Sequence, residues 1–366
     1  MSFALLALAA VLLRSALWLC ALAALLGLAG VILLRGNRWR SGALLIAAVA
    51  VAVGLLDAMA GWFAPEPHGA GLVKRTEPSE WFMADPDLGY RPIPNNVVVA
   101  TATFDSQPVY RVTLTIGPDG TRVTPPAPPG ADLYLFMGDS FMFGMGLEGD
   151  QNLPAQFARA NDFKVRTVNF SAPGWGPNHL VRAFEAGLCD RFKAERVKAV
   201  VIWIIPDHLA RVTGDGAWLG ASPRYVLEDG KPRFTGSFTR HRWINPLAGL
   251  RYQAGKVFSF VNAIGMRRRQ ETQAELLDAL IVRLEALARE KLDAPLIVVY
   301  SWPDEHGEEQ PLLTRLHRHG IPLLSVDELT AHLEPSRIAL PYDGHPTPFV
   351  DGLIAGALKR RLQTLD

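Results

Sequence analysis

Leu133-Tyr134-Leu135-Phe136-Met137-Gly138-Asp139-Ser140-Phe141 is an unbroken apolar run that ends in a glycine, an aspartate and a serine. A short apolar run bounded by turn chemistry reads as a fully buried strand, so the serine stands at a strand-to-helix turn. Roughly two hundred positions later the chain carries Asp343-Gly344-His345. A serine hydroxyl is a weak nucleophile until an imidazole takes its proton, and a carboxylate holds that imidazole in the right tautomer. Ser140, Asp343 and His345 are therefore the candidate catalytic residues of a nucleophilic acyl transfer.

Working outward from Ala131, strand-like and helix-like segments alternate. Strands are expected at Leu133 to Met137, Val165 to Phe170, Ala199 to Ile205, Pro295 to Tyr300 and Pro322 to Ser325. Amphipathic runs at Leu153 to Ala160, Leu180 to Phe192 and Gln273 to Lys291 read as crossover helices. That rhythm predicts an α/β fold with a parallel sheet covered on both faces. Val212 to Arg242 interrupts it with a hairpin-like segment, Tyr225 to Phe234, turning at Asp229-Gly230. Insertions at the carboxyl ends of parallel strands commonly shape a ligand crevice, so this one is expected to cap the site.

The N-terminal 65 residues hold most of the excess that makes 49% of the chain apolar. Ser15 to Leu34 is a 20-residue stretch without charge, and Ser41 to Leu56 is apolar up to Asp57. Each is near the length that crosses ~30 Å of hydrocarbon. Arg35, Arg38 and Arg40 between them predict a cytoplasmic loop and an extracytoplasmic remainder. A cleaved signal peptide is the competing reading, but the start lacks a basic segment and a second apolar stretch follows. Residues 64–130 are rich in Pro and Gly and read as a small β-rich collar. Within it Tyr110 to Ile116 is expected to form a hairpin with Arg122-Val123 across Gly117 to Gly120, and no collar motif carries chemistry. The expected division is 1–63 membrane anchor, 64–130 collar and Pro-rich linker, and 131–366 catalytic domain.

The near-balance of 37 basic and 36 acidic residues gives no footprint for nucleic acid. The nine histidines lack metal-ligand spacing, and Gly144-Met-Gly146-Leu-Glu-Gly149 lacks the Lys-Ser/Thr of a phosphate loop, so neither metal nor cofactor is expected. Cys20 in the apolar stretch and Cys189 in the globular part are not expected to pair.

Three blocks resemble the SGNH/GDSL hydrolases. Gly138-Asp139-Ser140-Phe141 is similar to their first signature block, Asn169-Phe-Ser-Ala-Pro-Gly174-Trp-Gly176 to the second, and Asp343-Gly-His345-Pro346 to the last. The resemblance covers Ala131 to the C-terminus and implies a flavodoxin-like three-layer parallel sheet. It implies Ser140 as nucleophile, Asp343 and His345 as its partners, and Gly174 as a backbone donor to the oxyanion hole beside the Ser140 N–H. The third block departs from the pattern. In Ile202-Trp-Ile-Ile205-Pro206-Asp207-His208 the slot of the family's oxyanion asparagine is taken by Pro206, which has no donor. His208, with Arg211 close by, is the candidate replacement.

Each residue also has a plainer reading. Gly-Asp-Ser is a common turn and helix cap, Asp343 and His345 suit a loop, and Gly174 and Gly176 suit a hinge. Asp139 reads as structural, and a hydrogen-bonded structural role competes for His208. Taken together the blocks predict a membrane-anchored serine esterase or deacylase acting on small-molecule or carbohydrate O-acyl esters on the extracytoplasmic side. Two alternatives stand beside it. One is a polysaccharide O-acetyltransferase served by a membrane acyl-donor partner, and the other is a non-catalytic binding module on a degenerate scaffold.

Overall fold

The computed structural model describes residues 16–62, 71–257, 266–302 and 311–364. They divide into two compact units, 1–67 with 241–269, and 68–240 with 270–366. The collar strands fall in the same unit as the main parallel sheet, and 241–269 groups with the N-terminal helices.

In the first unit, helices Ala16–Leu33 and Asn37–Trp62 pack with Gly27 and Gly30 against Ala43 and Ala47, small residues that let backbones approach. Their outward faces leave Leu25, Leu26, Ile32, Leu45 and Leu55 exposed. Asn37–Met59 is long and apolar enough to cross a membrane, and the first helix, Ala16–Leu33, carries no charged residue. The three-arginine loop is also tighter than its sequence suggests, because Asn37 to Arg40 already form the first turn of the second helix. Ser15, where the first expected stretch begins, lies outside the described residues.

The second unit begins with the collar. Strands β1 (Leu72–Glu77), β4 (Asn96–Phe104) and β5 (Gln107–Ile116) form an antiparallel sheet in the order β1-β4-β5, while β2 (Phe82–Asp85) and β3 (Gly89–Pro92) form a separate hairpin. The long partner of β5 is β4, joined through Asp105-Ser106, both at positive φ. The expected pairing with Arg122-Val123 is present but short: Ile116 bridges Arg122, the Val123 N–H donates to the Thr115 carbonyl at 2.9 Å and the Gly117 N–H to the Thr121 carbonyl at 2.8 Å. Arg122 also bridges onward to Asn169, so the chain passes from collar to main sheet through it.

The main sheet contains β6 (Leu133–Gly138), β7 (Arg166–Ser171), β8 (Val197–Ile204), β11 (Leu296–Tyr300) and β12 (Leu323–Ser325), in the order β12-β11-β8-β6-β7 with every pair parallel. All five expected strands are present. Alternate side chains feed two cores. Leu135, Met137, Val200, Ile202 and Val298 pack under helices Pro177–Glu185 and Met266–Leu292. On the other face Phe136, Val201, Trp203, Ile297 and Val299 pack under Leu153–Ala160 and Pro348–Gln363. Helices on both faces make the three layers that near-continuous apolar strands require. The expected helix Leu180 to Phe192 is broken. It spans Pro177–Glu185 and resumes as a short 3-10 turn at Asp190–Phe192, because Gly187 at φ +78° ends it. The insertion carries the expected hairpin as β9 (Pro223–Glu228) and β10 (Lys231–Ser237), with Asp229 and Gly230 both at positive φ in its turn.

Candidate active site

In this order β7 lies on one side of β6 and β8, β11 and β12 on the other, so the switch point falls between the carboxyl ends of β6 and β8, where open parallel sheets bind ligands. β6 is buried along its whole length and delivers Ser140 to that edge. A Cβ on Gly138 would lie 2.7 Å from Cβ of Met142, so the chain folds back over this position only because it is glycine. Asp139 caps the short helix Ser140–Phe143, its Oδ1 accepting from the Phe141 N–H at 3.0 Å. Gly144 then ends that helix in the left-handed conformation.

The carbonyls left open at the end of this turn are gathered by one side chain. Arg122 donates to the carbonyls of Phe143 (2.5 Å), Gly144 (2.6 Å) and Leu147 (2.5 Å), and Asn169 Nδ2 donates to the Met142 carbonyl at 3.1 Å. Burial draws the Arg122 pKa down to about 10 against the opposing pull of Glu148 and Asp351. No spacing in the sequence marks Arg122 for this task, because its contacts arise only when the collar folds onto β7.

Asp139 is fully buried, and its second oxygen is held from the third block. Arg211 Nη1 donates to Oδ2 at 2.6 Å and also to the Trp175 carbonyl at 2.8 Å, while His208 Nε2 lies 3.4 Å from the same Oδ2. Burial by itself would raise the Asp139 pKa. His208 and Arg211 outweigh it and hold the carboxyl well below the usual range. Arg211 thus ties the first, second and third blocks to one another.

The same contacts decide where His208 stands. Its Nδ1 accepts from the Ile205 N–H at 3.3 Å, so the ring proton sits on Nε2, which faces Asp139. His208 Nε2 thus faces the buried Asp139 carboxylate at 3.4 Å without a hydrogen bond among the described residues, the arrangement of the structural role weighed beside an oxyanion donor. Pro206 at the neighbouring position supplies no donor either.

Gly174 follows β7 at φ +84°. A Cβ there would stand 2.7 Å from both the Tyr90 hydroxyl and Trp218 Nε1. Tyr90, from β3, donates to the Pro173 carbonyl at 2.8 Å, and Trp218, from the insertion, donates to the Gly174 carbonyl at 3.4 Å. The collar and the insertion therefore both reach the second block. His179 braces its far side. It accepts the Gly176 N–H at Nδ1 (3.0 Å) and stacks on Trp175, and burial pushes its pKa down to about 3, so it stays neutral.

Asp343 and His345 lie on a tight turn in which Tyr342 and Gly344 both have positive φ and the Leu340 N–H donates to the His345 carbonyl at 2.8 Å. This turn brings His345 Nδ1 to 3.1 Å from Asp343 Oδ2. The His345 ring packs 5.1 Å from that of Phe141, the residue after Ser140, and its Nε2 has no hydrogen-bond partner among the described residues. The Asp343 side chain is fully buried, and its Oδ1 is ion-paired with Lys74 of β1. Burial would raise its pKa; His345 and Lys74 together hold it below the ordinary value. Among the described residues no group of three or more His, Cys, Asp or Glu side chains is placed to hold a metal ion. The two cysteines are free and buried.

No protein-family model and no curated protein matches the chain. Solved structures similar to it include a protein of the G-D-S-L family described as lipolytic, from Desulfitobacterium hafniense DCB-2 (12% identity, 63% of this chain and 98% of that one, TM-score 0.35). The psychrotrophic esterase EstA from Pseudoalteromonas sp. (10% identity, 63% and 99%, TM-score 0.36) and TesA (15% identity, 64% and 100%, TM-score 0.36) are similar to the same extent. At this identity and overlap the likeness bears on neither substrate nor catalytic residues.

Proposed function

We propose that this protein is a serine esterase or deacylase that cleaves O-acyl esters through an acyl-enzyme, anchored in the cytoplasmic membrane with its site on the extracytoplasmic side. The observation that carries the reading is the Asp343–His345 pair, 3.1 Å apart, beside the turn that presents Ser140. His345, its Nδ1 turned to Asp343, takes the Ser140 proton at Nε2 as the hydroxyl attacks the ester carbonyl. It then returns the proton to the leaving alcohol. The backbone N–H groups of Ser140 and Gly174 hold the oxyanion. With Pro206 and His208 giving nothing, this hole has two donors. A missing third donor costs about 3 to 4 kcal/mol of transition-state stabilisation, so slow turnover is expected.

The substrate is read as an O-acyl ester, including esters of carbohydrate. Supporting an open, shaped acceptor side is Trp218, 57% exposed and hydrogen-bonded to the Gly174 carbonyl. The anchor is supported by Asn37–Met59 and by the arginines around its start. The test is hydrolysis of a chromogenic acetyl ester by the detergent-solubilised chain, with and without oligosaccharide acceptors. Free acetate as the main product supports the esterase reading, and acetylated oligosaccharide as the main product overturns it.

A further inference from the structure

The turn that carries Asp343 and His345 is seated on the collar. Tyr342 stacks on Phe104 of β4 at 3.7 Å with the rings 3° from parallel, and Leu340 packs against the collar core. Phe104 is in register with Leu72 on β1, and Lys74, two residues on from Leu72, pairs in register with Ala102. From this edge strand Lys74 reaches the buried Asp343 carboxylate and pairs with Oδ1, leaving Oδ2 to His345. A buried carboxylate needs nearby positive or polar groups to remain charged, and each oxygen of Asp343 has one charge-bearing neighbour of its own, Lys74 at Oδ1 and His345 at Oδ2. The other titratable group facing it is Tyr110 of β5, whose hydroxyl is kept neutral by burial and then by the Asp343 charge. Lys74 is thus the one group outside the turn that brings positive charge to Asp343 among these neighbours.

We propose that Lys74 is a positioning residue of the acyl-transfer site, fixing and charging Asp343 from the collar so that His345 is held as the base. The inference rests on the reading of Ser140, Asp343 and His345 as the catalytic residues. It gives the collar a chemical task. The sign of the effect follows from the pair. An ionised Asp343 is required for function, function is lost as pH falls and the carboxyl protonates, and a neutral residue at 74 raises the pH at which that happens. Lys74 is 40% exposed, so solvent screens part of the effect.

The experiment measures the rate of labelling by a serine-reactive fluorophosphonate from pH 3 to 9 on the full chain in detergent, for wild type and variants. Lys74→Met is expected to move the acid limb up by about half to one pH unit and to slow labelling at pH 7 by about tenfold. Lys74→Arg is expected to restore both. Phe104→Leu, which removes the stack but no charge, is expected to lower the unfolding temperature and leave the limb in place. Lys74→Gln serves as a second neutral variant if Lys74→Met does not fold. An unmoved limb in the neutral variants, no rescue by arginine, or an equal shift in Phe104→Leu overturns the role of Lys74. Ser140→Ala runs alongside: labelling that survives it overturns the catalytic reading itself, whereas a dead Ser140→Ala with an unmoved Lys74 limb removes only the inference about Lys74.

Discussion

Asp139 serves three partners: it caps the Ser140 helix with Oδ1 and takes Arg211 and His208 on Oδ2. Replacing it by asparagine preserves the cap but leaves the Arg211 guanidinium, whose side chain is 10% exposed, without its countercharge. Breaking such a buried pair typically costs about 3 to 5 kcal/mol, so Asp139→Asn is expected to lower the unfolding temperature clearly at pH 7. The folded carboxyl lies below its unfolded value of about 3.9, so this stability is fully present above that pH and is lost as pH falls below it. Thermal unfolding between pH 3 and 7 is expected to show a shallower acid decline in Asp139→Asn than in wild type. Gly174 is constrained in a different way. Alanine there meets both a positive φ and two side-chain atoms at 2.7 Å. Gly174→Ala is expected to cut kcat by about a hundredfold, the lower range for loss of one oxyanion donor, with the chain still folded by circular dichroism. The turns that carry Ser140, Asp343 and Gly174 are legible in the sequence because a strand end, an Asp-x-His and a Pro-Gly turn leave local marks. Lys74, Tyr90, Arg122 and His179 are not, because each acts through a contact that its neighbours in sequence do not specify.

At the level of elements, the collar does more than its composition announced. Its strands alternate clearly enough to be read, but their destination depends on antiparallel register and on the single crossing at Arg122. That residue donates to three carbonyls at the end of the Ser140 turn while lying in the bridge from β5 to β7. Arg122→Met removes all three hydrogen bonds; the Phe143 and Gly144 carbonyls keep Asn169 Nδ2 (3.4 Å) and the Leu147 N–H (3.2 Å), while the Leu147 carbonyl loses the Arg122 donor, at about 1 to 3 kcal/mol. A fall in unfolding temperature together with a fall in kcat is expected, with the pH profile unchanged, as read from ester hydrolysis and thermal unfolding. A stable variant with reduced kcat would instead place Arg122 in a purely local role. The parallel strands, by contrast, were all readable, because burial on both faces makes each of them a continuous apolar run. The helix expected to run to Phe192 stops at Glu185 because Gly187, tolerable within a helix by sequence, adopts a positive φ that ends it.

For the molecule as a whole, one unit carries the two N-terminal helices together with 241–269, and the other carries the collar and the sheet. The first unit also exposes Trp243, Ile244 and Leu247 at 82, 72 and 78%. The proposed membrane placement rests on the composition of Asn37–Met59, and the proposed orientation on Arg35, Arg38 and Arg40. A reporter that works only outside the cytoplasm, fused after Asp366, is expected to be active, and an active cytoplasmic reporter there would reverse the orientation. The chemistry is tested most directly by intact-mass analysis of the purified full chain after treatment with a fluorophosphonate. One adduct per chain is predicted, mapped by peptide sequencing to Ser140 and absent from Ser140→Ala and His345→Ala. An unlabelled wild type, or an adduct that persists in Ser140→Ala, would contradict the account.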